Sequence, residues 1–476
     1  MPAAPAVASA GGFEPAQRQR WSLVAPYAEA VRPASAQWEL RAWGLIAIGA
    51  LAVAGVFALL LALSRLPGAE TWFPWPVQFF HKGLVIHVVF SFVVWFLAVM
   101  AALACATAYR AGGQEPRARG LGPVAVWLSV AAFVLLALPA MRDGGEASLN
   151  NYVPVIIDPL FYAGLGLLSL AMLLVTFRLL VNLAAPRGIV EPVVLATAVA
   201  ALLFVAALVS MVFDALALGG PVDAAFNEAV FWSGGHLLQF LNVTLMLVAW
   251  YLLGGARLAA PLVSPRLLTL AAVFLLIAGL FGVGSAGLIH EPLSVPHRQW
   301  ITDLQYLLAP PALLIAVLGA RALMSAGSDG DRLAGLALWA SFAVFALGGV
   351  LGLFVDGADT RTPAHYHGVI GGVNIAFMGL FVVFLLPLLG RPLARGRWLV
   401  AMFWMYAIGQ ALHSAGLFLA GGYGATRKTA GAEGLEALGA QIGLYGMGVG
   451  AVVAVIGGII FIVVTGRALL RPAPDA

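Results

Sequence analysis

Two histidines, His365 and His367, stand two residues apart at the head of the long apolar stretch 363–390. In an α-helix, positions i and i+2 lie about 200° apart around the axis, so the two imidazoles leave the helix on opposite sides. One helix can therefore offer an axial nitrogen to each of two flanking cofactors. Ionisable residues in an apolar segment of this length mark function by default. Six further histidines complete the inventory: His81, His87, His236, His290, His297 and His413. The one cysteine, Cys105, lies in an apolar run and excludes disulfides, iron–sulfur clusters and thiolate zinc sites within the chain. Metal chemistry must rest on histidine and carboxylate.

The elements that position these residues follow from composition. The 476 residues are 62% hydrophobic and 10% charged, with mean hydropathy +0.98. That profile belongs to an all-α integral membrane protein and leaves no room for a soluble domain. Stretches of about 20 apolar residues are needed to cross a bilayer. Twelve are expected, at 41–64, 78–108, 121–141, 153–181, 190–217, 225–254, 265–290, 299–322, 332–355, 363–390, 397–420 and 438–468. Residues 1–40 read as a polar cytoplasmic arm without a signal-peptide core, 41–470 as the twelve-helix bundle and 471–476 as a cytoplasmic tail. The net charge of +4 calls for no nucleic acid.

Orientation follows from the cations. With the N-terminus inside, 18 of the 25 Lys+Arg fall on the cytoplasmic side, and acidic residues such as Asp143, Glu146, Asp223 and Asp359 fall outside. Both termini are then cytoplasmic, in a membrane of the bacterial inner type. On that map His81, His87, His236, His290, His365 and His367, carried by four segments, converge on the outer half of the bilayer.

Twelve spans with these histidines resemble the catalytic subunit of the haem–copper oxidase superfamily, which includes the nitric oxide reductases. The most specific part is Ala364-His365-Tyr366-His367 followed by Gly371-Gly372 and Ala376-Phe377-Met378-Gly379. The resemblance implies that His365 binds a high-spin haem and His367 a low-spin haem. It also implies a second low-spin ligand from segment 2, where His87 lies inside the apolar run and His81 at its polar entry. His236, in Trp232-Ser233-Gly234-Gly235-His236, resembles the sixth-segment ligand of the second metal. Arg427-Lys428 resembles the cation pair on the haem propionates, with Arg298 and Arg361 as further candidates.

Two departures from the family bear on substrate. Where most members carry two adjacent histidines after segment 7, this chain has His290-Glu291. Aligning that pair gives His236, His290 and Glu291 as the ligand set. Two imidazoles and a carboxylate suit non-haem iron better than copper. Alternatively His297 completes the set, or Glu291 only gates protons. Oxygen-reducing members also place a tyrosine near the second metal, whereas Phe240 stands four residues after His236 and no tyrosine occurs between 252 and 305. Segment 8 has no lysine and residues 111–120 no aspartate, so the pumping routes of the family are missing.

The expected activity is therefore reduction of nitric oxide to nitrous oxide, without proton pumping, in an atypical branch, since Gln239 and Phe240 stand where the common nitric oxide reductases carry a glutamate near the sixth-segment histidine. It would use two haems and a non-haem iron, with copper as the alternative metal. Reduction of O2 is the alternative within the same class. A transporter with a histidine-lined path and a non-catalytic haem-binding protein are the readings outside it. The chain has no Cys-x-x-Cys-His motif and no two-cysteine copper site, so a second subunit carrying haem c or copper is the expected electron donor.

Overall fold

The computed structural model describes residues 23–64, 79–325, 327, 330–355, 357, 359–427 and 437–471. A short helix α1 (Val24–Ala30) precedes α2 (Ala34–Ser64), which begins ahead of the expected residue 41. Then follow α3 (Phe79–Gly112), α4 (Leu121–Met141), α5 (Pro159–Ala184), α6 (Pro192–Ala217) and α7 (Ala224–Leu258). The remainder comprises α8 (Pro265–Leu280), α9 (Val295–Met324), α10 (Arg332–Gly352), α11 (Arg361–Leu388), α12 (Arg397–Gly422) and α13 (Leu438–Leu470). Between α4 and α5, β1 (Ala147–Ser148) and β2 (Val155–Ile156) pair antiparallel, Ala147 opposite Ile156. Among the described residues, ten of these helices are long and apolar enough to cross a membrane, which makes this a multi-pass membrane protein. The other two expected spans correspond to α8, with 16 residues, and α12, with 26.

Helix starts obey local chemistry. Asp158, Asp223 and Asp331 accept hydrogen bonds from amides in the first turns of α5, α7 and α10, satisfying donors that have no partner within the helix. Pro159, Pro192 and Pro265 occupy first-turn positions where no amide hydrogen is needed.

α8 stops short of its expected end. After Leu280 the chain unwinds through Gly282, Gly284 and Gly287, the last two at φ +69° and +80°. His290 is consequently off the helix in extended conformation, its amide donating to the Ser285 carbonyl at 2.9 Å. Glycines make this turn accessible at no steric cost.

Burial ranks the helices. The apolar windows of α3, α7 and α11 are 89%, 94% and 89% buried, whereas those of α9 and α13 are 28% and 22% buried. A helix apolar on every side and enclosed on every side is a central one. The three central helices are those that carry His87, His236 and the His365–His367 pair. On the outer helices, large apolar side chains such as Trp127, Leu270, Ile277 and Val452 are exposed, as a lipid-facing surface requires.

At the opposite end of the bundle from the histidines, Arg178 of α5 makes a two-pronged ion pair with Glu39 of α2, both contacts 2.6 Å. Both side chains are at most 2% exposed. Gly122 on α4 lies directly over them; a Cβ there would stand 2.2 Å from each.

Candidate haem and metal site

The imidazoles are set by backbone carbonyls. His87 Nδ1 lies 3.0 Å from the Ala54 carbonyl of α2. His365 Nδ1 lies 2.8 Å from the Gly348 carbonyl of α10. His236 Nδ1 lies 2.6 Å from the Trp232 carbonyl one turn earlier on α7. A carbonyl can only accept, so in each ring Nδ1 carries the hydrogen and Nε2 keeps its lone pair. That is the arrangement of a metal-binding histidine, whose other nitrogen is almost always anchored in this way.

His297 is the reverse case. Its Nδ1 accepts from the Leu293 amide at 3.1 Å, so the hydrogen sits on Nε2, which donates to Ser233 Oγ at 2.9 Å. Both nitrogens are engaged, and the ring is fully buried. In this arrangement His297 has no lone pair to give a metal.

Why His365 reaches a backbone carbonyl is legible in the glycines. Gly348-x3-Gly352 on α10 meets Gly368-x3-Gly372 on α11, a small-residue seam that lets two backbones touch. A Cβ on Gly368 would lie 2.5 Å from Gly348 Cα, and one on Gly352 would lie 2.5 Å from His365 Nδ1. His367 leaves the other side of α11, as the two-residue spacing requires, and its ring meets that of His413 on α12 edge to face at 4.5 Å. His413 Nδ1 is itself 3.1 Å from the Met447 carbonyl of α13.

A polar clamp ties α3 to α11. Trp95 Nε1 donates to Asn374 Oδ1 and Asn374 Nδ2 donates to the Tyr406 hydroxyl, both at 2.9 Å. His367 lies seven residues before Asn374. His87 lies eight before Trp95, across a π-helical segment, Val89–Val94, that adds one residue to the turn count. Each separation is thus about two turns, which returns each histidine to the face bearing the clamp. Short loops make sequential spans antiparallel, so α3 and α11 run the same way. The two histidines then stand at one level, about 10 Å from the clamp.

His236 is 4% exposed and held between two rings, Tyr152 at 4.4 Å and Trp232 at 4.6 Å. Tyr152 comes from the loop after α4 and adopts φ +66°, a left-handed backbone that non-glycine residues seldom take. Gly235 makes the approach feasible, since a Cβ there would stand 2.9 Å from Tyr152 Cβ. Burial pushes the Tyr152 phenol up to about 12; Tyr366 raises it further and Arg427 opposes.

The remaining expected residues are spread out. His290 is half-buried, with Trp300 6.5 Å away, and Glu291 is exposed. Among the described residues no group of three His, Cys, Asp or Glu is gathered at metal-binding distance, so His236, His290 and Glu291 do not form a ready ligand set in this structure. His81 is exposed, and its neighbour Lys82 is buried, donating to the carbonyls of Arg142 at 2.9 Å, Pro139 at 3.5 Å and Gly144. Arg361 pairs with Asp359 at 2.7 Å. Arg427 is partly buried, and Lys428 lies outside the described residues.

Comparisons with known proteins give the family. The profile of the family described as cytochrome C and quinol oxidase polypeptide I matches residues 40–460. The chain belongs to that family. An uncharacterized protein of Aquifex aeolicus (strain VF5) is 30% identical over 345 residues, 72% of this chain and 83% of that one. An uncharacterized protein of Rickettsia prowazekii (strain Madrid E) is 23% identical over 506 residues, covering 90% of this chain and 95% of that one. A heme-copper terminal oxidase dimer solved by cryo-EM has a TM-score of 0.75 at 18% identity, covering 93% of this chain and 85% of its own. That likeness shows a shared fold. Membership in the haem–copper oxidase family makes this chain a subunit I-like oxidoreductase and implies haem cofactors, a metal in a binuclear centre, a small gaseous substrate and redox partners. The three Nδ1–carbonyl bonds fit imidazole ligation to such groups.

Two residues beside these histidines escape a motif-based reading. Tyr152 carries no sequence signal, because only the fold brings its loop to His236. Asp214 carries one, being a carboxylate inside the apolar stretch 190–217, which a membrane segment rarely tolerates without use.

Proposed function

We propose that the chain is a twelve-span, membrane-bound respiratory reductase of the bacterial inner membrane, with both termini cytoplasmic, converting two molecules of nitric oxide, two electrons and two protons to nitrous oxide and water. His87 and His367 would hold a low-spin haem, and His365 a high-spin haem. His236 would hold a non-haem metal, with iron the favoured identity if His290 and Glu291 join it. Bound there, these groups would supply electron transfer and an open coordination site for the gas. The chain's own part is to fix imidazole tautomers and to keep water from the centre through the packing of α3, α7 and α11. Arg427 and Lys428 would neutralise propionates.

The observation that carries the reading is the common tautomer of His87, His236 and His365, each with Nδ1 on a main-chain carbonyl. For nitric oxide in particular, the support is Phe240. This residue, four after His236, is fully buried against α8 near Gly279, and offers neither proton nor electron for O–O cleavage. The second reading, reduction of O2 to water, is favoured by Tyr152, which places a phenol-bearing ring against His236 from another part of the chain.

The test is an optical spectrum and metal analysis of the purified protein, followed by turnover under NO and under O2. Low-spin and high-spin haem bands, non-haem iron and faster consumption of NO are expected. Absence of haem overturns the assignment, and copper without non-haem iron overturns the nitric oxide reading.

A further inference from the structure

A chain of buried polar groups crosses three helices one turn away from His236. Asp214 on α6, Ser233 on α7 and His297 on α9 are each 0% exposed. Gly234 brings α6 and α7 together, since a Cβ there would sit 2.6 Å from the Ala207 carbonyl. The contact sets the Asp214 carboxyl facing the hydroxyl and amide of Ser233. Neither carboxyl oxygen makes a hydrogen bond of normal geometry in the structure, and Ser210, one turn away on the same face of α6, also has an unpaired buried hydroxyl. A buried carboxyl without a full partner costs several kcal/mol of stability or more, so its retention calls for a use.

The hydrogens at Ser233 can be accounted for. His297 is fixed as the Nε2–H tautomer by the Leu293 amide, so it donates to Ser233 Oγ and occupies one of its two lone pairs. A protonated Asp214 closing on Ser233 would occupy the other. The serine's own hydrogen must then point in the remaining direction. Ser233 and His236 are i and i+3 neighbours on α7, so that direction lies along the face that carries His236. The arrangement is unlike a hydrolytic serine–histidine pair, in which the imidazole accepts from the hydroxyl.

We propose that Asp214 is a proton store for the His236 centre and that Ser233 is its relay, with His297 holding the relay in direction. The inference rests on His236 lying at the reaction centre. In the step, the Asp214 O–H bond breaks as its proton joins Ser233 Oγ, and the serine's original hydrogen leaves toward the reduced substrate. Asp214 remains as carboxylate and is reprotonated by water at the end of α6, which Asp214 precedes by three residues and beyond which Gly219, Gly220, Pro221, Val222 and Asp223 form an exposed loop. Either substrate of the proposed function, NO or O2, consumes protons in this way.

The experiment uses the full-length purified protein, with Asp214→Asn, Asp214→Glu, Ser233→Ala and Ser233→Thr. Two readouts are taken: gas turnover with haem content verified, and the infrared carboxylic C=O band in H2O and D2O. The wild type should show a buried carboxylic band that D214N removes and S233A shifts. Turnover should fall on the order of 100-fold in D214N and S233A at unchanged haem content. D214E and S233T, which retain the carboxyl and the hydroxyl, should recover most of it. Wild-type turnover in haem-loaded D214N overturns the proposal, as does a carboxylic band indifferent to S233A. Lack of haem in the wild type would instead overturn the reading of His236, and the infrared comparison would still test the Asp214–Ser233 link.

Discussion

Replacing Gly352 by alanine puts the proposed high-spin ligand, His365, to the test with a single methyl group. Its Cβ would stand 2.5 Å from His365 Nδ1, 2.8 Å from Cε1 and 3.3 Å from Cγ. Ordinary contact begins near 3.4 Å, so the ring must retreat by about 0.9 Å. The two backbones are already in contact here, a Cβ at Gly348 falling 2.2 Å from the Val369 nitrogen, so any separation of the helices would give up packing along the whole seam. Retreat of the ring stretches the 2.8 Å Nδ1–Gly348 bond, costing about 1 kcal/mol. It also displaces Nε2 by about 1 Å, which in a preorganised site reduces turnover on the order of 100-fold. The assay is carbon monoxide difference spectroscopy on the reduced protein. The high-spin signal should weaken or shift in G352A, while the low-spin bands, set from the other face of α11, stay unchanged. Gly349→Ala is the matched control, since its Cβ would meet nothing within 4 Å. A wild-type carbon monoxide spectrum in G352A, or equal damage in G349A, would refute the reasoning.

Further outcomes follow from other contacts. Arg178→Met leaves the Glu39 carboxylate buried alone and should cost about 3–5 kcal/mol, read as a lowered unfolding midpoint, while the Arg178→Met/Glu39→Gln pair should recover much of the loss. Asn374→Leu strips partners from Trp95 and Tyr406 and should cost about 1–3 kcal/mol while perturbing the low-spin bands; an unchanged spectrum would argue against a clamp that levels His87 with His367. Tyr152 retains its proton in the folded state up to about pH 12, whereas the unfolded chain loses it near pH 10. A raised folded pKa gives stability that is fully present below pH 10 and lost as pH rises toward 12. The alkaline unfolding profile should therefore flatten in Tyr152→Phe, by about 1–2 kcal/mol over that window.

The helical architecture and the divergence of His365 and His367 were readable from the chain because both are local signals: apolar runs of membrane length, and two histidines whose i, i+2 spacing sends them to opposite faces. His365 indeed turns to α10 and His367 to α12. The end of α8 was less readable. The apolar run continues to His290, but Gly282, Gly284 and Gly287 break the helix ten residues earlier, and glycine alone does not announce whether it packs or turns. The role of His297 depends on which nitrogen accepts, a property of the Leu293 amide and Ser233 that no spacing encodes. Tyr152 is a tertiary neighbour of His236 by virtue of a left-handed loop residue, which tyrosine gives no reason to expect.

The acceptors that hold His87, His236 and His365 are all main-chain oxygens. No amino-acid substitution can delete a carbonyl, so the orientation of the three rings is insulated from mutation in a way that carboxylate-anchored rings are not. For His87 and His365, whose acceptors belong to neighbouring helices, drift acts through what lets the backbones come close. For His365 that vulnerability sits in Gly348, Gly352, Gly368 and Gly372, none of which has a side chain that could touch a ligand. A search for loss-of-function variants in this chain should therefore yield hits at the glycines of the α10–α11 seam, with every functional side chain still in place.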